Sequence, residues 1–367
     1  MHIPWGWIKQ RPHFLAENLA KYYIIDVYYR KANTVSKSSM LTKKSDITNL
    51  SINGYNELPF IKIPILKYFK LEWINTLIVK YQLPKLIRYD CIWFTSPIQY
   101  LTFRPLLTKQ KVIYDCMDDI IEFPSVKKNA DLTSKLLRCE KDLLTFADYI
   151  IVSSEYLKNK ILNRANINRG NVIVVNNAIE LPKMEDNDLL PENIQDKVRF
   201  IKSLSFPFMY VGMISPWFDF DVIKQALEKY PKLNIVLIGP CEVEIPKHDR
   251  IHYLGLVERK YIFPLMELAY ALMMPFKLNE LIYAVNPVKL YEYIYMKKPV
   301  ISIRYTETER FSDFVCLYSS LDEWLNKVGE ILINPSKYVK EENAIQQFIE
   351  GNTWRSRSRQ IVQMLNL

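Results

Sequence analysis

One stretch near the carboxyl end, PFKLNELIYAVNPVKLYEYIYMKKPVIS from Pro275 to Ser302, concentrates residue types that can handle a phosphorylated ligand. Asn286-Pro287 precedes a segment, Val288 to Met296, that reads as a helix, since proline is tolerated in a first turn. A helix start offers backbone N–H groups and a positive dipole end, which suits a phosphate. Lys289, one residue inside, adds a mobile cation. Glu292, three residues on, shares its face and could accept hydrogen bonds from two ribose hydroxyls. The alternative is a solvated Lys–Glu pair on a helix surface.

Two further points could carry chemistry. Asp118 and Asp119 follow the apolar run Lys111 to Asp115, at the strand end where open α/β sheets bind ligands. Either could act as a general base on an acceptor hydroxyl or orient a sugar, and either could instead cap the next helix. Gly212 follows a second apolar run, Phe208 to Val211; with Met213 it would let backbone approach a pyrophosphate, or it is structural.

These residues need a scaffold. Short apolar runs at Ile24–Tyr29, Cys91–Phe94, Lys111–Asp115, Tyr149–Val152 and Asn171–Asn176 alternate with helical segments such as Leu136–Ala147. The pattern repeats after residue 206, with Phe208–Val211, Leu233–Ile238, His252–Gly255, Ala271–Pro275 and Val300–Ser302. Alternation of this kind predicts an α/β protein with two doubly wound parallel sheets. Residues 31 to 56 read as loop, and 181 to 198, polar and proline-punctuated, as a linker. The expected division is therefore 1–190, 199–340 and a carboxyl-terminal helix over 341–367.

Composition excludes several classes. The chain has 367 residues, 49% of them hydrophobic, with no apolar run of 18, no basic-then-apolar leader and no repeat. This predicts a globular protein kept in the cytoplasm. Its five cysteines, scattered from Cys91 to Cys316, form no CxxC pair, and four histidines offer no metal spacing. Eight glycines include neither GxGxxG nor a P-loop. No metal site and no cofactor are expected.

Charge is uneven. Residues 1 to 180 hold 26 Lys and Arg against 16 Asp and Glu, a net of +10, whereas the remaining 23 against 24 give −1. A basic first half suits an anionic partner such as a phospholipid surface or a lipid-linked diphosphate, and no nucleic-acid-binding motif accompanies it. Basic and aromatic residues from Phe60 to Arg88 fit either interfacial membrane helices or core-facing helices with a solvated face.

The string PVKLYEY followed by KKPV resembles the donor-binding segment of GT-B glycosyltransferases, especially the family-4-like enzymes of bacterial surface-polysaccharide synthesis, teichuronic-acid type included. The opening PWGWIKQRPHFLA, the segment YVGMISPWFDFD and the turn NNAIE are similar to further parts of the same family. The resemblance implies two Rossmann-like domains facing a central cleft, with the last helix crossing back to the first. It implies a metal-independent, retaining hexosyltransferase that moves a sugar from a nucleotide-diphosphate sugar, a UDP-sugar foremost. The acceptor would be lipid-linked or an oligosaccharide, in capsule, O-antigen or exopolysaccharide synthesis at the inner face of the cell membrane.

In that resemblance Gly212, Met213, Glu258, Asn286, Pro287, Val288, Lys289 and Glu292 bind the donor. Trp5, Gly6 and Arg11 border the acceptor, and Asp118, Asp119 and Lys289 serve catalysis. Three positions depart from the pattern: Ala284 replaces the first glutamate, Met117 a histidine and Ala178 a glycine. The family's first strand is short or missing, which would place the true start upstream. A nucleotide-sugar epimerase and a non-catalytic nucleotide- or membrane-binding scaffold are the alternative functions.

Overall fold

The structure, a computed structural model, describes residues 1–5, 9–31, 47–56, 72–82, 86–168, 170–182 and 190–365. It divides into two compact units, Met1–Asn176 with Arg357–Leu367, and Asn177–Ser356.

The first unit carries β1 (Ile25–Arg30), β2 (Leu50–Tyr55), β3 (Cys91–Phe94), β4 (Lys111–Cys116), β5 (Tyr149–Val152) and β6 (Val172–Val174). β1 and β2 pair in parallel; β3 to β6 form a parallel sheet in sequence order. The inner strands β4 and β5 are buried along nearly their whole length, as expected where helices cover both faces. β2 replaces part of the loop expected over 31–56. Its Asn53-Gly54 reads as a turn, yet Leu50 and Tyr55 are buried and the segment pairs with β1 along its length. The basic and aromatic stretch from Phe60 to Arg88, read as either membrane or core-facing helices, lies partly outside the described residues; within them, Glu72–Gln82 is a helix, with Leu77 and Tyr81 exposed.

The second unit holds β7 (Pro207–Val211), β8 (Asn234–Ile238), β9 (Ile251–Tyr253), β10 (Ala271–Met274), β11 (Val300–Ile303) and β12 (Cys316–Tyr318). All are parallel, in the order β12-β11-β10-β7-β8-β9. The order reverses between β7 and β10, so connections leave these two neighbours in opposite directions and open a crevice beyond their carboxyl ends. The core beneath includes Trp324, fully buried, whose indole N–H donates to the Val222 carbonyl at 3.0 Å.

Two boundaries differ from the sequence reading. Much of the expected linker is the helix Glu192–Ser203, which buries Ile194 and Ile201, two turns apart on one face, in the second unit's core. The carboxyl-terminal segment is two helices, Glu342–Gly351 and Trp354–Leu365. The former packs Ile345 and Ile349 into the second unit, and only the chain from Arg357 belongs to the first. There the Arg357 Nε donates to the Asn176 carbonyl at 3.2 Å and the Tyr149 hydroxyl to the Leu365 carbonyl at 3.2 Å. Among the described residues no helix is long and apolar enough to cross a membrane.

Candidate functional site

The second unit gathers its chemistry at the crevice between β7 and β10. β7 ends at Val211, whose N–H receives the Tyr293 hydroxyl oxygen as acceptor at 2.9 Å. Tyr293 belongs to the helix Val288–Tyr295, so this bond fixes that helix against the strand end. Gly212 follows with φ of +149°, a backbone region nearly closed to other residues. A Cβ on Gly212 would lie 2.0 Å from Lys289 Cε and 2.8 Å from Lys289 Nζ. The lysine side chain therefore runs directly over the glycine backbone. Its ammonium lies 5.6 Å from the Tyr210 ring centroid and 5.9 Å from that of Phe276, the latter just beyond β10.

A second glycine makes this approach possible. Gly239, after β8, has φ of +136°, and a Cβ there would lie 2.2 Å from the Gly212 carbonyl oxygen. Main chain beyond β7 and β8 thus packs without side chains between, held by the Gly212 N–H on the Ile238 carbonyl at 2.8 Å. The Tyr210 hydroxyl donates to the Met213 carbonyl at 2.7 Å, which turns that peptide inward.

At the helix itself Pro287 is the N-cap, not a first-turn residue, and Val288 and Lys289 head the helix. A cation beside a helix N-terminus at a sheet switch point is an arrangement that suits an anion. Glu292, one turn in, is 7% exposed. It does not pair with Lys289. Its Oε1 accepts from Arg259 Nη2 at 2.7 Å, and Arg259 Nε reaches Glu180 Oε2 at 3.5 Å. Burial alone would lower the guanidinium's pKa, but the carboxylates of Glu292 and Glu180 raise it. The pairing of Arg259 with Glu292 is the feature that motif spacing does not show. Arg259 lies 33 residues from Glu292, and only the fold brings the two together.

Asn286 is corrected from ligand contact to framework. It is buried; its Oδ1 accepts from the Asn177 N–H at 2.9 Å and its Nδ2 donates to Glu307 Oε2 at 2.9 Å, while Asn177 Nδ2 donates to its carbonyl at 2.8 Å. These bonds hold the loop that delivers Pro287. Glu258 is exposed, at the N-cap of the helix Arg259–Met266. Trp217 and Asp219 frame the same crevice: the Asp219 N–H donates to the Pro275 carbonyl at 2.8 Å, and the Asp219 carboxylate caps the helix Phe220–Lys229.

In the first unit Asp118 lines a cavity of about 360 Å³ at the ends of β3 and β4, with His2, Gln10, Thr95, Ser96 and Ser125 among its polar lining. Asp119 does not join it. Its carboxylate is fully buried, takes both oxygens to Arg164 Nη1 at 2.9 Å, lies 3.3 Å from Lys160 and caps Ile121. A carboxylate so engaged is held by the fold rather than open to a substrate. Arg11 is corrected likewise. It is 4% exposed, its Nε donates to Asp115 Oδ1 at 2.9 Å and its Nη1 to the Val175 carbonyl at 2.7 Å. It pins the helix Arg11–Leu19 under the sheet. Trp5 is half-buried and stacks at a tilt on His13, with centroids 5.0 Å apart. Burial pushes the His13 imidazole down to about 4 and, with its charged neighbours, the His2 imidazole down to about 4 as well. Gly6 lies outside the described residues.

No protein-family model matches the chain. Over 234 residues it is 26% identical to a protein of Bacillus subtilis (strain 168) named a teichuronic acid biosynthesis glycosyltransferase, TuaH, covering 60% of this chain. The match spans 57% of that relative's length, and 29% of an uncharacterized glycosyltransferase of Methanocaldococcus jannaschii, MJ1059. Among solved structures, Anabaena HepE in complex with UDP and glucose superposes with a TM-score of 0.68 at 14% identity, over 98% of this chain and 97% of that one. Sucrose-phosphate synthase of Thermosynechococcus elongatus superposes with a TM-score of 0.69 at 15% identity, over 97% and 92%. At such identities the likeness is one of fold. With its two parallel-sheet units, the chain has the GT-B fold, and in sequence it is similar to a glycosyltransferase named for teichuronic acid synthesis.

Proposed function

We propose that the protein is a glycosyltransferase whose second unit holds a nucleoside-diphosphate sugar and whose first unit holds the acceptor. The observation that carries this reading is the Lys289 ammonium lying over Gly212 at the head of the helix Val288–Tyr295. That arrangement suits a diphosphate. HepE, solved with UDP-glucose, shares the fold over 96% of this chain, which favours a UDP-sugar as donor.

The mechanism follows from where charge develops. Breaking the bond between the sugar C1 and the diphosphate oxygen puts negative charge on the departing diphosphate. Lys289 and the helix N-terminus stabilise that charge more in the transition state than in the ground state, the work a divalent ion does elsewhere. The reaction is in this reading metal-independent. Glu292 holds the ribose hydroxyls and so fixes the nucleotide's register. Asp118, in the first unit's cavity, is the candidate base for the acceptor hydroxyl. The cavity's mix of hydroxyl and amide groups with Ile3, Tyr114 and Phe123 suits a sugar ring, with its polar rim and apolar face. The acceptor is taken to be a lipid-linked glycan of a bacterial surface polysaccharide; its hydroxyl oxygen bonds to the sugar C1 as the bond to the diphosphate breaks, and its proton passes to Asp118.

The test is transfer of labelled sugar from a panel of UDP-sugars to a membrane lipid extract, by wild type, Lys289→Met and Asp118→Asn. Transfer by wild type that falls at least a hundredfold in both variants supports the reading. Equal turnover in all three contradicts it.

A further inference from the structure

Glu292 is too buried to be left to itself. A carboxylate of that exposure without a hydrogen-bonding partner turns toward water, and so turned it holds a ribose poorly. Arg259 supplies that partner from outside the helix. It is the first residue of the helix Arg259–Met266, and its guanidinium lies against Glu292 Oε1 at 2.7 Å, Glu180 Oε2 at 3.5 Å and the Phe263 ring, 5.9 Å from centroid to Cζ. Arg259 takes one oxygen of Glu292. The other, Oε2, has no hydrogen-bond partner among the described residues and is not among the side-chain atoms sealed from solvent.

We propose that Arg259 is the positioning residue for Glu292: braced by Glu180, it holds that carboxylate in place and aimed, so that Oε2 and the second lone pair of Oε1 receive the ribose diol. This rests on the nucleotide reading given above and adds a specificity-determining residue to it. Arg259 does not touch the reacting atoms. Its effect is on which nucleotide sugar is held, through the two hydroxyls of the ribose.

Hydrogen bonds to a charged acceptor contribute about 1.5–3 kcal/mol each, which corresponds to roughly ten- to a hundredfold in affinity. Wild type should therefore bind UDP at least tenfold more tightly than 2′,3′-dideoxy-UDP. Titration calorimetry with both probes on wild type, Arg259→Gln, Arg259→Lys, Glu292→Gln and the Arg259→Gln/Glu292→Gln pair reads the effect. The proposal expects Arg259→Gln to lose the discrimination as fully as Glu292→Gln, the pair to lose no more than either, and Arg259→Lys to restore part of it. A lower melting temperature with discrimination intact in Arg259→Gln makes the residue structural and overturns the proposal. Tighter UDP binding by Arg259→Gln means that the guanidinium occludes the carboxylate, and overturns it as well. Absence of UDP, GDP and dTDP binding by folded wild type sinks the nucleotide reading itself, a result distinct from the other two.

Discussion

Replacing Gly212 by alanine separates backbone strain from ligand binding at the crevice. Two costs arise. The positive φ of +149° is nearly reserved for glycine, and forcing a side chain into it costs about 1–3 kcal/mol of stability. The new methyl would also stand 2.0 Å from Lys289 Cε, so the lysine must withdraw by roughly 1.5 Å to restore van der Waals distance. That end of the chain is flexible, and its movement costs the fold little. It costs the ligand more. Moving a unit charge from about 3 to about 4.5 Å of a phosphate oxygen, at an effective dielectric of about 20, removes about 2 kcal/mol. Affinity for a nucleoside diphosphate should then fall on the order of thirtyfold.

Gly255→Ala is the matched control. Its φ is +74° and nothing lies within 4 Å of a Cβ there, so it carries strain without displacing a cation. Titration calorimetry with UDP, done well below the melting point of each variant, distinguishes the two. The reasoning expects both variants to melt earlier and only Gly212→Ala to lose affinity. UDP binding by Gly212→Ala within threefold of wild type would refute the placement of the diphosphate over Gly212.

Two further predictions concern the first unit. Arg164→Met leaves Asp119 and Glu140, both buried, without their shared guanidinium, Lys160 staying 3.3 Å from Asp119. Stability should drop by about 3–5 kcal/mol in urea unfolding, since breaking a buried ion pair strands a charge. Stability should also fall with acid through His13. Burial holds its folded pKa at about 4, below the usual 6.5, so the neutral form is favoured in the fold. The stabilisation is full above pH 6.5 and is lost as pH falls from there toward 4, in total about 3 kcal/mol. His13→Phe should flatten the slope of unfolding free energy between pH 6.5 and 4, measured by denaturant titration at each pH.

How much of this was legible follows from the range of each interaction. The strand Tyr149–Val152 is local, and the sequence reading has its residues. The helix at Glu192 was legible in part, because Ile194, Val198 and Ile201 share a face, but proline and acidic residues around them point to a linker. β2 was hidden by Asn53-Gly54, a strong turn signal that pairing with β1 overrides. Lys289 and Glu292 announce themselves by spacing on one helix. Their working partners, Gly212, Arg259 and Glu180, come from three other segments that only the sheet's switch point assembles. Asp118 and Asp119 are neighbours in sequence with opposite fates. Which one faces a cavity depends on Arg164, 45 residues downstream.

The most direct measurement is a thermal-shift and calorimetric titration of UDP against wild type, Lys289→Met and Glu292→Gln. A ligand that binds only the folded state raises the melting point by mass action. The account predicts that UDP stabilises wild type, and that each substitution weakens UDP at least tenfold in a protein that remains folded. No stabilisation of wild type by any nucleoside diphosphate, or equal binding by all three proteins, would contradict a nucleotide site at the head of this helix.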